Sequence, residues 1–164
     1  MRVTPLAVTT SILSMIACAT VIPPARPLPP QDHYIQAPFD SVWQRTVGFF
    51  ADSRIPIRTI DKESGIIASS SFELPFDQAQ TWADCGKAST GEPTLARLQA
   101  INNIPQIQAD FNVFIRKAGD SSAVRVNLGL TGSANSPAGK VPLQCVTNGK
   151  FEEALVNYVT ATSR

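Results

Sequence analysis

The residues with the clearest chemical potential are three cysteines, Cys18, Cys85 and Cys145, and a single histidine, His33. A thiol can be lipidated, paired in a disulfide, bound to a metal or used as a nucleophile. Cys85 and Cys145 lie far apart and lack the C-x-x-C spacing of zinc sites and redox pairs. With one distant histidine as the only imidazole ligand, the sequence predicts no metal site and no cofactor.

Enzymatic motifs are equally scarce. The sequence contains no G-x-S-x-G, P-loop, H-E-x-x-H or G-x-G-x-x-G pattern. Asp84 beside Cys85 is isolated, and Asp61 and Glu63 are typical of a turn. The sequence therefore predicts a protein that is not an enzyme. A wall or glycan hydrolase, with its carboxylates brought together only by the fold, is the alternative.

Cys18 ends the segment 13–18, which reads LSMIAC and follows an apolar stretch in which Arg2 is the only charge. A charged start, a short apolar core and a small residue before the cut are typical of a secretory signal. The segment resembles the lipobox of bacterial lipoproteins, in which cleavage exposes a cysteine that carries a thioether-linked lipid. The resemblance implies a signal peptide over 1–17, lipidation of Cys18, and anchoring by acyl chains such as palmitate. An ordinary cleaved signal is the alternative.

Ala19 follows the lipidated position. In the lipoproteins that this segment resembles, an aspartate there is associated with retention at the inner membrane. The resemblance therefore implies an outer-membrane lipoprotein with its domain in the periplasm. Two unassigned cysteines then remain in an exported protein, which predicts a disulfide between Cys85 and Cys145.

Residues 23–30 read PPARPLPP and contain five of the thirteen prolines. Such a run favours polyproline II and excludes helix. Residues 19–31 would then span roughly 40 Å. The sequence predicts that 18–31 is a lipidated cysteine followed by a spacer; a proline-rich ligand for a partner is the alternative.

Residues 32–164 have the length of one domain with its own core. Cleavage before Cys18 removes one basic residue, Arg2, and leaves thirteen basic and thirteen acidic residues. A neutral chain without a polybasic run lacks the positive surface of nucleic-acid-binding proteins, so no nucleic-acid partner is expected.

Residue periodicity predicts the order of secondary-structure elements. A short strand at 33–37 precedes a helix of about thirteen residues that Asp40 caps. Strands follow at 55–59, 65–72, 111–115 and 124–130, and a final helix starts near Asn148. The insertion 73–106 holds Trp82, Cys85 and a short helix at 93–101.

This order is β-α-β-β-(insertion)-β-β-α. Each predicted strand has one apolar face, which favours an antiparallel sheet of four to five strands with two helices packed on one face. The fold class is therefore α+β.

Residues 37–43 (APFDSVW) and 57–67 (IRTIDKESGII) are similar to BamC-like domains of envelope lipoproteins. In those domains a helix opened by this phrase leads to a strand pair turned at I-D-x-x-x-G-x-I. The resemblance implies a helix-grip-like fold and an accessory role, because BamC belongs to the outer-membrane β-barrel assembly machinery. BamC has two such domains, whereas this chain has room for one, and the cysteine pair is not part of that pattern.

Together these features predict a non-catalytic accessory lipoprotein that binds another envelope protein, for example within an assembly or secretion complex, with Trp82 as a candidate partner contact. The alternative is a lipid or small-molecule binding protein with a cavity between sheet and helix.

Overall fold

The structure is a computed structural model that describes residues 21–26 and 29–161. The signal peptide predicted over 1–17 and the lipidation predicted at Cys18 lie outside the described residues and stay predictions.

The described part of the chain contains eleven strands and four helices. The strands are β1 Val21–Ile22, β2 Asp32–Ile35, β3 Ile57–Asp61, β4 Ile66–Ser69, β5 Phe72–Glu73, β6 Ala83–Asp84, β7 Lys87–Ala88, β8 Gln106–Ala118, β9 Ser121–Ser136, β10 Gly139–Leu143 and β11 Val146–Thr147. The helices are α1 Phe39–Asp52, α2 Phe76–Trp82, α3 Thr94–Ala100 and α4 Lys150–Ala161.

A long antiparallel hairpin, β8–β9, is the centre of the sheet. Its two-residue turn contains Gly119, whose φ of 64° is easily reached by glycine. Pairing starts at Ala118 opposite Ser121 and continues without a break to Gln106 opposite Ser133. Every odd-numbered residue of 107–115 is buried and the intervening positions are mostly exposed, so the alternation read from the sequence fixes which face packs on the helices.

The main sheet has the order β10-β9-β8-β4-β3, with β2 also paired to β9 and β5 also paired to β8. All these pairs are antiparallel, and the α+β class is confirmed. The described residues give this sheet seven strands, so the prediction of four to five was too low.

Two local features account for the extra strands. The strand predicted over 65–72 divides in two, because the Ser69 hydroxyl accepts the Phe111 backbone N–H at 2.8 Å and interrupts the ladder. Residues 137–138 then turn the chain back, and Gly139–Leu143 adds β10 along the far end of β9.

Helices α1 and α4 pack together on one face of the sheet, as predicted, over an aromatic core. The Phe111 and Phe151 ring centroids lie 4.1 Å apart, and Phe50 meets Phe111 edge-on at 6.2 Å. Trp43 is 6% exposed and belongs to this core. Asp40 does not cap α1: Pro38 holds the cap position, and the Asp40 carboxylate pairs with Lys62 at 2.8 Å.

The insertion 73–106 is ordered by small pairings of its own. The short helix predicted at 93–101 is present as α3, and α2 was not predicted. Strand β6 pairs with β11, and a disulfide joins Cys85 to Cys145 across these two segments.

The proline-rich segment does not begin as a free spacer. Val21 pairs with Ala88 and Ile22 with Lys87, which joins β1 to β7 of the insertion. A β-carbon at Gly86 would lie 2.2 Å from the Ile22 carbonyl oxygen, so the two backbones are in close contact. The prediction of an extended spacer away from the domain is therefore wrong for residues 21–24.

Candidate binding cleft

The outer edge of β9, on the side away from β8, is paired at both ends but not in the middle. Strand β2 ends its pairing where Asp32 lies opposite Arg125, and β10 ends where Leu143 lies opposite Gly132. Between them, residues 126–131 of β9 have no strand partner on that side within the described part of the chain. This stretch is called the open edge below.

The sequence explains why the open edge exists. Continuing β2 backwards would place Pro29 and Pro30 beside β9, and proline has no N–H to donate to a sheet ladder. At the other end, β11 pairs with β6 and follows the disulfide-bonded Cys145, so it lies close to β9 without joining its ladder. The segments before β2 and after β10 therefore determine where the open edge begins and ends.

A cleft of about 840 Å³ lies over the open edge. Residues 126–129 of β9 and two neighbouring positions of β8, Asp110 and Asn112, line it on the sheet side. Strand β11 and the start of α4 line a second side, and residues of the proline-rich segment a third. Its volume falls within the range of about 300–1,000 Å³ that is usual for small-ligand sites.

Four carboxylates face this cleft, on Asp84, Asp110, Glu152 and Glu153, and the basic groups facing it belong to Arg26 and His33. The cleft is therefore net acidic. Glu152 is held by the Thr147 hydroxyl, which lies 2.9 Å from each carboxylate oxygen.

The other carboxylates differ in how they are held. Asp84 accepts the Gly86 backbone N–H at 2.8 Å. Asp110 and Glu153 are exposed and have no ion-pair partner among the described residues. Glu153 lies in the first turn of α4, where a negative charge also favours the helix dipole. Neither a hydrogen bond of this kind nor a helix dipole explains why a carboxylate stands at Asp110.

Asp110 lies over a glycine at the open edge. It is opposite Gly129 in the register, and a β-carbon there would come within 2.5 Å of Asp110 Oδ2. Only a residue without a side chain leaves room for this carboxylate, which therefore lies beside the unpaired backbone of β9.

A second charged cluster lies on the exposed face of the sheet, next to the cleft. The Asp32 carboxylate accepts from Arg116 at 2.7 Å and from Arg125 at 2.8 Å, and its side chain is only 16% exposed. The hydrogen bond from Arg116, followed by that from Arg125, lowers the pKa of Asp32. This cluster fixes the end of β2 where the open edge begins.

The predicted site residues are placed as follows. Cys85 and Cys145 are bonded to each other and buried, and their sequence neighbours Asp84 and Val146 line the cleft. Trp82 is half-buried against the core, 5.1 Å from the Phe151 ring and 6.4 Å from that of Phe111. Much of the Trp82 surface is therefore buried by core packing. Its contact with a partner stays a prediction.

Sequence reasoning did not find the cleft. His33, which the sequence offered only as a distant metal ligand, lies in β2 and lines the cleft. The available signal was the pair Pro29-Pro30 directly before a strand, which predicts that the strand's pairing cannot continue.

The space between α1 and the sheet is filled by side chains, among them the fully buried Val42, Phe50 and Val113. The cavity predicted there is replaced by a cleft at the sheet edge beside α4. Among the described residues, no group of three or more His, Cys, Asp or Glu side chains is arranged to hold a metal ion. Nor does any helix in that part of the chain have the length and apolarity to cross a membrane.

No protein-family model matches this sequence, and no curated protein is significantly similar to it.

Proposed function

We propose that this chain is a non-catalytic outer-membrane lipoprotein that binds another envelope protein through the cleft over the open edge. The observation that carries the proposal is that cleft: a concave site with unpaired sheet backbone along one side and carboxylates that the fold does not neutralise. The similarity of 37–43 and 57–67 to BamC-like domains supports an accessory role, which is an argument by analogy.

The pairing of β1 with β7 limits how far the domain can lie from the membrane, and so where it can meet a partner. If Cys18 carries the lipid, only Ala19 and Thr20 separate it from β1. At roughly 3.5 Å per residue, the first paired residue then lies within about 10 Å of the anchored cysteine. The domain would be held at the membrane surface, with its cleft within reach of membrane-embedded proteins.

The proposal is tested by photo-crosslinking in cells with the full-length lipoprotein. A photoreactive amino acid at Asn127, which is exposed at the open edge, is compared with one at Arg58 on the exposed strand β3. We expect a discrete crosslinked envelope protein from position 127 and none from position 58. Recovery of the lipoprotein alone from both positions, or equal crosslinking at both, would contradict the proposal.

The cleft volume favours one further candidate, the binding of a lipid or small molecule. Native mass spectrometry of the protein extracted in mild detergent separates the two. A bound small molecule of constant mass, lost on substitution of cleft residues, would favour this second candidate over a protein partner.

A further inference from the structure

We propose that the open edge of β9 binds an extended polypeptide segment as an added strand, and that this segment carries lysine or arginine on the side of Asp110. The inference rests on the proposed function and names the binding mode and the chemistry of the bound segment.

The backbone of the open edge has unpaired hydrogen-bonding groups. In an antiparallel sheet, successive residues of a strand direct their backbone hydrogen bonds to the neighbouring strand on one side and then on the other. In a hairpin with a two-residue turn, the closing pair is hydrogen-bonded to each other and sets this alternation. Counting from the closing pair Ala118–Ser121, the N–H and C=O groups of Val126 and Leu128 point away from β8, towards the open edge. These groups require partners, and an unpaired sheet edge is a template for another strand.

The length and direction of the open edge suit an added strand. The open edge is six residues long, 126–131, or about 20 Å of strand, and β11 lies close to β9 without pairing with it. Strands β10 and β2 both run antiparallel to β9, one at each end of the gap. An added strand with the same direction would continue the pairing that β2 begins, past Val126 and Leu128. Recognition by strand addition uses backbone bonds for affinity and alternate side chains for specificity.

The two faces of the open edge differ in polarity. On the helix side lie Val126, Leu128 and Val156, which are apolar. On the opposite face lie Asp110 and Asn112, and Asp110 is the unneutralised carboxylate positioned by Gly129. Since alternate residues of a strand point to opposite faces, the pattern that fits is apolar residues alternating with basic ones.

Charge balance supports a basic segment. Four carboxylates face the cleft, against Arg26 and His33. An acidic segment would be repelled, whereas lysine or arginine beside Asp110 gains an ion pair at an edge that is partly screened from solvent.

The experiment uses the purified mature protein in detergent and short fluorescent peptides in which valine alternates with lysine. A matched peptide replaces each lysine by glutamate. Two further lysine peptides carry backbone N-methyl groups on one or the other alternate set of residues. One set would donate hydrogen bonds to β9 and the other would point to solvent. Binding is measured by fluorescence anisotropy.

We expect the lysine peptide to bind and the glutamate peptide not to bind. The isomer methylated on the solvent-pointing residues should keep its affinity. The isomer methylated on the residues that donate to β9 should bind about tenfold more weakly for each hydrogen bond removed. Equal binding by the two isomers, equal binding by the glutamate peptide, or no binding of the lysine peptide at millimolar concentration would each overturn the inference.

A protein variant provides an independent check. Asp110→Asn should weaken lysine-peptide binding by about fivefold, as expected for a partly screened ion pair, whereas Asp120→Asn in the exposed hairpin turn should have no effect. Equal effects of the two substitutions would overturn the role of Asp110.

Failure of the inference is distinguishable from failure of the proposed function. Crosslinking to an envelope protein from Asn127 without peptide binding would overturn strand addition alone. Peptide binding without any cellular crosslink would support the edge as a strand template and contradict the proposed partnership.

Discussion

The carboxylate of Asp110 lies across Gly129 so closely that a β-carbon at position 129 would come within 2.5 Å of Oδ2 and 2.9 Å of Cγ. Gly129→Ala should therefore displace the carboxylate from the open edge. Because Asp110 is exposed and its side chain can rotate, the free energy of unfolding should change by less than about 1 kcal/mol. Binding of the lysine peptide should fall as it does in Asp110→Asn.

The check is a double-mutant cycle on peptide affinity and on urea unfolding. If Gly129 acts by positioning Asp110, the double variant Gly129→Ala, Asp110→Asn should bind no more weakly than Asp110→Asn alone. Fully additive losses of affinity would show that Gly129 contributes in another way.

The disulfide between Cys85 and Cys145 closes a loop of 60 residues and joins two segments whose residues Asp84 and Val146 line the cleft. Replacing both cysteines by serine should lower the free energy of unfolding by about 4 kcal/mol on the chain-entropy argument. Urea denaturation of the oxidised protein, the reduced protein and the double variant measures it. We expect the last two to agree; unchanged stability after reduction would contradict a structural role.

The same substitution should act locally on the cleft. Strand β11 pairs with the two-residue β6 and with no other strand among the described residues, so we expect the disulfide directly before it to help fix its position. Amide hydrogen exchange should rise more in 83–84 and 146–147 than in the β8–β9 hairpin, where only the global loss of stability acts. An equal rise in both would contradict a local role of the disulfide.

Asp32 should make stability depend on pH. Its hydrogen bonds to Arg116 and Arg125 lower its pKa from an ordinary value near 3.8. A lowered pKa in the folded state means that the stabilisation is fully present above the unfolded value. It is lost as pH falls through the folded value. Asp32→Asn should therefore lower the melting temperature at pH 7, and the difference from the native protein should disappear in strong acid.

Thermal unfolding of the native protein and of Asp32→Asn, measured from pH 7 down to strong acid, tests the role of Asp32. Asp120→Asn is the control. Because the ion pairs are partly exposed, the effect should also shrink in high salt. A difference that persists unchanged below the folded pKa would show that the carboxylate charge is not what stabilises β2 against β9.

The sequence predicts those parts of the fold in which a single local pattern dominates. The alternation of Val124, Val126, Leu128 and Leu130 is sufficient for strand β9, and Glu152 and Glu153 mark the start of α4. The split at Ser69 was not predictable, because it depends on a hydroxyl that reaches Phe111, 42 positions away in sequence.

The cleft arises from relationships that composition alone does not contain. The prolines at 29–30 predict extended chain, but not that it runs along a domain; that depends on the pairing of β1 with the distant β7. Similarly, Asp110 occupies an ordinary exposed position of an alternating strand. Its importance comes from Gly129 opposite it and from the missing neighbour of β9, both of which are properties of the assembled sheet.

The pairing of Val21 and Ile22 with β7 gives the anchor hypothesis a sharp geometric consequence. If Cys18 is lipidated, the β1–β7 ribbon must lie close to the bilayer, with Val21 and Ile22 exposed at 54% and 53%. A fluorescent amino acid at Lys87 should be quenched by spin-labelled lipids when the mature lipoprotein is reconstituted in vesicles. The same probe at Asp120, in the turn of the β8–β9 hairpin, should not be quenched.

Inserting a flexible glycine–serine segment between Thr20 and Val21 should remove the quenching at Lys87 and leave the protein bound to the vesicles, because the lipid still holds it while the domain is free to move away. Cys18→Ser should abolish both binding and quenching. Equal quenching at Lys87 and Asp120 would contradict the placement of the ribbon at the membrane. Vesicle binding that survives Cys18→Ser would contradict the lipid anchor, so the two outcomes separate the anchor from the orientation that the fold imposes on it.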